Sequence, residues 1–164
     1  MNDGSRQDEG LVGMAQIGVA MERGILRTLL GSCVGVVLYE RKIKLLGLAH
    51  VVMPDSQGRS QPVGKYADTA IPETIRRMKE LSGVSRLTLS AKIAGGANMF
   101  AHVIPAPTRP IGDQNMAAIE QILKALDIPI VGRHLGGTAG RRLVVDAGSG
   151  TVEVHMIGQP TIRI

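Results

Sequence analysis

An α+β fold is what this sequence predicts: a layered α/β sandwich of mostly antiparallel sheets covered by two main helices. Three observations predict it. Short runs rich in β-branched residues recur along most of the chain, and only two segments carry apolar residues at helical spacing. Several neighbouring runs are also separated by turns short enough for hairpins.

Taken in order, residues 1–10 are polar and acid-bearing, so a mobile tail is expected there and a single domain over 11–164. Residues 11–20 are apolar and dotted with glycine, a first strand. Residues 25–30 form a second, which ends at the turn-like pair Gly31-Ser32. Residues 34–39 and 43–53 bracket Glu40-Arg41-Lys42 in a hairpin pattern, without the Asn-Gly or Asp-Gly of the strongest turn signal. Residues 54–62 are a polar loop.

Over 68–81, Ile71, Ile75, Met78 and Leu81 share one helical face, and Ser82-Gly83 ends the helix. Pro72 suits only the first turn, which sets the start near Thr69 and Ala70. A strand over 86–93 leads into Gly95-Gly96-Ala97. Pro105, Pro107 and Pro110 make 102–112 a loop. Asp113 can then cap a second helix with Ile119, Ile122, Leu123 and Leu126 inward. Residues 128–135, 142–147 and 151–157 read as strands, the last two joined by Gly148-Ser149-Gly150. Gly136-Gly137 through Arg141 lacks the GxxxxGK[ST] pattern of a phosphate loop and reads as a turn.

Composition narrows the function classes. The 164 residues are 44% hydrophobic and 20% charged, ordinary for a soluble domain that builds its core without staples. Cys33 is the only cysteine, so no intrachain disulfide can form. The polar start argues against a Sec-type signal, and no apolar run is long enough to span a membrane, so a cytoplasmic location is expected. The net charge is +5, but the aromatics are only Tyr39, Tyr66 and Phe100 and the basic residues are scattered. Base stacking needs aromatic faces, so nucleic-acid binding is not expected; the charge is a solvated surface or a docking face for an acidic partner. Cys33, His50, His102, His134 and His155 show no short ligand spacing, so no metal and no cofactor are expected.

One constellation carries chemistry. A hairpin turn centred between Arg41 and Lys42 sets Val37 opposite Leu46 and Cys33 opposite His50. Opposed residues have Cβ atoms about 4.5–5.5 Å apart on one face, which puts the only thiol beside an imidazole. That is a nucleophile with its base, and an imidazolium there would lower the thiol pKa. A one-residue slip would part them. Gly31 and Ser32 could present the sulfur at a sheet edge and leave backbone N–H groups as an oxyanion hole. Thr28 lies near enough upstream to orient His50. The plainer alternative is a small buried cysteine and a structural histidine.

The residues that carry this pair resemble a known family. Leu30-Gly31-Ser32-Cys33-Val34 and Leu48-Ala49-His50-Val51-Val52-Met53-Pro54-Asp55 look like the signature of CheD-type chemoreceptor glutamine deamidases. The resemblance continues through Lys65-Tyr66-Ala67-Asp68-Thr69-Ala70-Ile71-Pro72, Lys92-Ile93-Ala94-Gly95-Gly96-Ala97-Asn98-Met99-Phe100, Ile111-Gly112-Asp113-Gln114-Asn115 and Gly136-Gly137-Thr138-Ala139-Gly140-Arg141-Arg142, in the family's order. It implies hydrolysis of glutamine side chains on the chemoreceptor cytoplasmic coiled coil to glutamate and ammonia, on a fold similar to deamidating necrotizing-factor toxins. It implies Cys33 as nucleophile, His50 as base and a threonine as third member, for which Thr28, next to Arg27, is the nearest candidate. Gly95 and Gly96 would suit a wall where backbone approaches the substrate or the active-site strands, or a plain turn. The resemblance also implies a CheC-type chemotaxis phosphatase as regulatory partner. A binding module that regulates such a phosphatase, with catalysis secondary or lost, is the alternative function.

Overall fold

The computed structural model describes residues 10–102 and 109–164. Nine strands and two helices follow in the order β1 (Ile17–Met21), β2 (Ile25–Leu30), β3 (Val34–Glu40), β4 (Leu45–Val51), α1 (Ala67–Ser82), β5 (Ser90–Gly95), α2 (Ile111–Ala125), β6 (Ile130–Leu135), β7 (Arg141–Asp146), β8 (Val152–His155) and β9 (Ile162–Arg163). They build a five-stranded sheet in the order β1-β4-β3-β5-β6 and a four-stranded sheet in the order β2-β7-β8-β9. Every ladder is antiparallel except β5 with β6, which α2 connects. The α+β class and the mostly antiparallel sheets are as the sequence predicts.

Alternation along β3 and β4 divides the core in two. Val34, Val36, Leu38, Leu45, Ala49 and Val51 face the helices and pack with Ala70, Ile71, Met78, Ile119 and Leu123. Cys33, Val37, Leu46 and Leu48 point the other way and pack with Leu26, Leu30, Leu143 and Val154 of the second sheet. Period-two alternation therefore sets three layers: helices, five-stranded sheet, four-stranded sheet. Burial of each large aliphatic side chain contributes about 1.5–3 kcal/mol.

Several expected boundaries shift. The first strand is shorter, because Ala15 takes a φ of 60° and breaks residues 11–20 at a turn. The segment before that break lies along β2, with Arg27 N–H donating to the Gly10 carbonyl and Val12 N–H to the Arg27 carbonyl. Helix α1 begins before Thr69, so Pro72 lies past its first turn. The turn ahead of Pro72 is held from outside: Ala67 N–H donates to the Met53 carbonyl and the Thr69 hydroxyl to the Val63 carbonyl. Helix α2 starts at Ile111 rather than at a cap on Asp113, with Pro110 as its N-cap residue. Leu81 and Leu126, expected inward, are exposed at the helix ends. Strand β5 starts at Ser90 rather than 86, and β9 was not expected. The expected tail up to residue 9, and Pro105 and Pro107 of the expected loop, lie outside the described residues. Among the described residues no helix is long and apolar enough to cross a membrane.

Candidate active site

The β3–β4 ladder corrects the predicted register. Glu40 pairs with Leu45, Val37 with Leu48 and Gly35 with His50. Four residues, 41–44, make the turn rather than a tight pair, with Lys44 at a φ of 51°. The longer turn moves the register by two positions, and a two-residue shift keeps every side chain on its predicted face. His50 is thus diagonal to Cys33 rather than opposite it. Diagonal neighbours lie about 7–8 Å apart by Cα, within reach of a long side chain.

Cys33 stands just before β3, where the chain crosses from the second sheet to the first between β2 and β3. Its carbonyl and those before it are tied down: Gly31 O accepts from Ala97 N–H at 3.0 Å and Cys33 O from Gly96 N–H at 2.9 Å. Ser32 O accepts from Asn115 Nδ2 at 3.4 Å. In a trans peptide the N–H points opposite to the carbonyl, so the N–H groups of Ser32 and Cys33 turn away from these partners. Gly95 sits at a φ of +117°, and a Cβ there would stand 2.3 Å from the Cys33 carbonyl oxygen. Only glycine lets β5 support the Cys33 loop this closely. At Gly96 a Cβ would meet Met116 on α2.

Thr28 comes from the second sheet and is fully buried. Its hydroxyl donates to the Val12 carbonyl at 2.6 Å and lies 2.8 Å from His50 Nδ1. A hydroxyl has one proton, so one spent on Val12 leaves Thr28 to accept from His50 Nδ1–H. That assignment makes Nε2 the lone-pair nitrogen, and Nε2 is buried with no hydrogen-bond partner among the described residues. Burial pushes the His50 pKa down, opposed by the Val12 carbonyl. Burial pushes the Cys33 thiol up, opposed by its own backbone N–H. Both directions run against an imidazolium-depressed thiol. Desolvation favours the neutral form of both groups.

The structure thus gathers Thr28, Gly31, Ser32, Cys33, His50, Gly95 and Gly96 at one seam between the sheets. It adds two groups that the sequence reading of this site lacked, the Val12 carbonyl and Asn115. Asn115 had a signal, its place in the block Ile111-Gly112-Asp113-Gln114-Asn115; a backbone carbonyl has none. Beside Gly31 opens a groove of about 740 Å³, lined among others by Leu29, Met99, Arg141 and Ile157. Among the described residues no three or more His, Cys, Asp or Glu side chains converge to hold a metal ion.

Residues 52–156 match a family model described as CheD chemotactic sensory transduction. A protein of Desulforamulus reducens named probable chemoreceptor glutamine deamidase CheD is 44% identical over 154 residues, covering 91% of each chain. The chemoreceptor glutamine deamidase CheD of Bacillus licheniformis is 39% identical over 157 residues, covering 93% of each chain. The chain belongs to the CheD family. A probable chemoreceptor glutamine deamidase CheD of Methanococcus maripaludis is 42% identical over 145 residues, 88% of this chain and 92% of its own. The CheD model match holds Gly95, Gly96 and Asn115, and it begins just after His50.

Proposed function

We propose that this CheD-family chain is a thiol-dependent amidohydrolase that deamidates glutamine side chains on the cytoplasmic coiled coils of chemoreceptors. The observation that carries the reading is the Val12–Thr28–His50 chain, which leaves His50 Nε2 as a base on the face of the sheet that bears Cys33. The names of the relatives supply the substrate class.

With both groups neutral at rest, His50 Nε2 takes the Cys33 proton as the sulfur attacks the glutamine carboxamide carbon. The N–H groups of Ser32 and Cys33 receive the oxyanion, with Gly31 giving the loop room. As the tetrahedral adduct collapses, His50 returns the proton to the leaving nitrogen and ammonia departs, leaving a thioester. His50 then takes a proton from water, whose oxygen attacks the thioester. The products are glutamate and the restored thiol. Thr28 acts through His50, as a positioning residue, and no metal or cofactor enters. Residues 11–164 act as one catalytic domain in the cytoplasm.

The exposed Leu29, Met99 and Ile157 around the groove favour a second reading, a docking module for a CheC-type phosphatase. One experiment separates the two. Receptor cytoplasmic fragments are incubated with the wild type and with Cys33→Ala, and peptides are searched by mass spectrometry for amide-to-acid conversion. Conversion by the wild type alone is the expected result. No conversion by the folded wild type overturns the hydrolase in favour of the docking module, and equal conversion by both removes Cys33 from the chemistry.

A further inference from the structure

The β3–β4 ladder ends at Val34 and Val51, and the next step in register would set Cys33 opposite Val52. At that step both backbones face away from each other, Val52 N–H to the Lys65 carbonyl and the Cys33 carbonyl to Gly96 N–H along β5. The hydrogen-bonded step after it, Ser32 with Met53, is not made: Met53 N–H turns to the Lys65 carbonyl at 2.9 Å, and the Ser32 carbonyl takes Asn115 Nδ2 at 3.4 Å. The two strands fork where one carries the thiol and the other has just passed the imidazole.

Asn115 spans the fork. It is fully buried on α2, and its Nδ2 donates to the Val52 carbonyl at 3.0 Å and reaches the Ser32 carbonyl at 3.4 Å. One primary amide, with two N–H groups on a single nitrogen, thus bridges carbonyls from the two diverging strands. The helix that carries it is seated by backbone contact: a Cβ on Gly112 would lie 2.5 Å from the Gly96 carbonyl oxygen. Gly96 in turn holds Cys33.

We propose that Asn115 is a positioning residue that sets the separation of Cys33 from His50 by clamping the segments that bear them. This rests on the reading of that pair as nucleophile and base. Because the side chain is buried and bonds only backbone, it acts on turnover and not on substrate affinity. Placement errors of about 1 Å can cost on the order of 100-fold in rate.

The test compares full-length wild type, Asn115→Asp and Asn115→Ala, with receptor cytoplasmic fragment as substrate and iodoacetamide as probe of Cys33. Asn115→Asp keeps the shape and replaces both donors with acceptors that face carbonyl oxygens; Asn115→Ala keeps the helix and removes the clamp. The expected result is a kcat lower by about 10- to 100-fold with KM little changed, and a displaced pH profile of Cys33 alkylation. A role in stability alone would lower the melting temperature and move neither readout. A folded variant with wild-type kcat and alkylation profile overturns the inference, and so does loss of folding in both variants. If only Asn115→Ala folds, it carries the comparison. Full activity of the Asn115 variants beside an inert Cys33→Ala removes this inference and leaves the catalytic pair. Activity retained by Cys33→Ala removes the pair itself.

Discussion

Thr28 and His50 belong to different sheets, yet a 2.8 Å contact between Oγ1 and Nδ1 joins them across the buried layer. The contact fixes the imidazole ring and its tautomer, and the Val12 carbonyl beyond it fixes the direction of the threonine proton. The imidazole proposed as the base is thus aligned by the same packing that holds the two sheets together.

Replacement of Thr28 tests that alignment. Thr28→Val keeps the volume and loses the hydroxyl, so the Val12 carbonyl is left buried without its partner. The expected cost is about 1–3 kcal/mol of stability, read by urea denaturation. Deamidation should fall by on the order of 100-fold, the scale of general acid–base assistance, while Thr28→Ser keeps most of it.

The burial of His50 sets an acid limit. Its folded pKa lies below the ordinary 6.5, so protonation favours the unfolded chain. Stability tied to this group is full above pH 6.5 and is lost as pH falls from there through the folded value. Thermal melts between pH 5 and 8 should show a loss in the wild type that is smaller in His50→Gln.

Cys33 sets the opposite limit. Its folded pKa lies above the ordinary 9.0, so ionisation favours the unfolded chain. Its contribution is full below pH 9.0 and is lost as pH rises through the folded value. Cys33→Ala should flatten the alkaline arm of a melting-temperature profile.

Gly95→Ala should be the costliest glycine substitution at the site. The methyl would meet the fixed Cys33 carbonyl, whereas at Gly136, also at positive φ, it would meet nothing within 4 Å. Gly136→Ala carries only the left-handed penalty, about 1–2 kcal/mol. Urea denaturation should show Gly95→Ala losing clearly more, with deamidation lost alongside.

Arg141 is buried and binds backbone carbonyls of His134, Gly136 and Ala139, closing the loop between the two sheets. That loop holds Asn98 N–H through Gly137 O, next to the segment that supports Cys33. Arg141→Met should destabilise by roughly 1.5–3 kcal/mol, the worth of a charged hydrogen bond, measured by urea denaturation.

Much of this was legible in the chain alone. The β-branched run 34–39 and the apolar run 43–53 around Glu40-Arg41-Lys42 marked the central hairpin, the helical spacing of Ile71 and Met78 marked α1, and the blocks around Cys33 and His50 carried the family. The shared face of Cys33 and His50 also followed from parity, which survived a register error because the turn was longer by two residues.

Tertiary structure decided the rest. Whether Pro72 sits in the first helical turn depended on carbonyls of Met53 and Val63 that anchor the turn before it. The tautomer of His50 depended on the Val12 carbonyl, and the fork on an amide from α2. Sequence patterns report which face a side chain takes, because that is a local property of backbone geometry. They do not report which backbone carbonyl comes to meet it, since every residue carries the same carbonyl and only packing selects one.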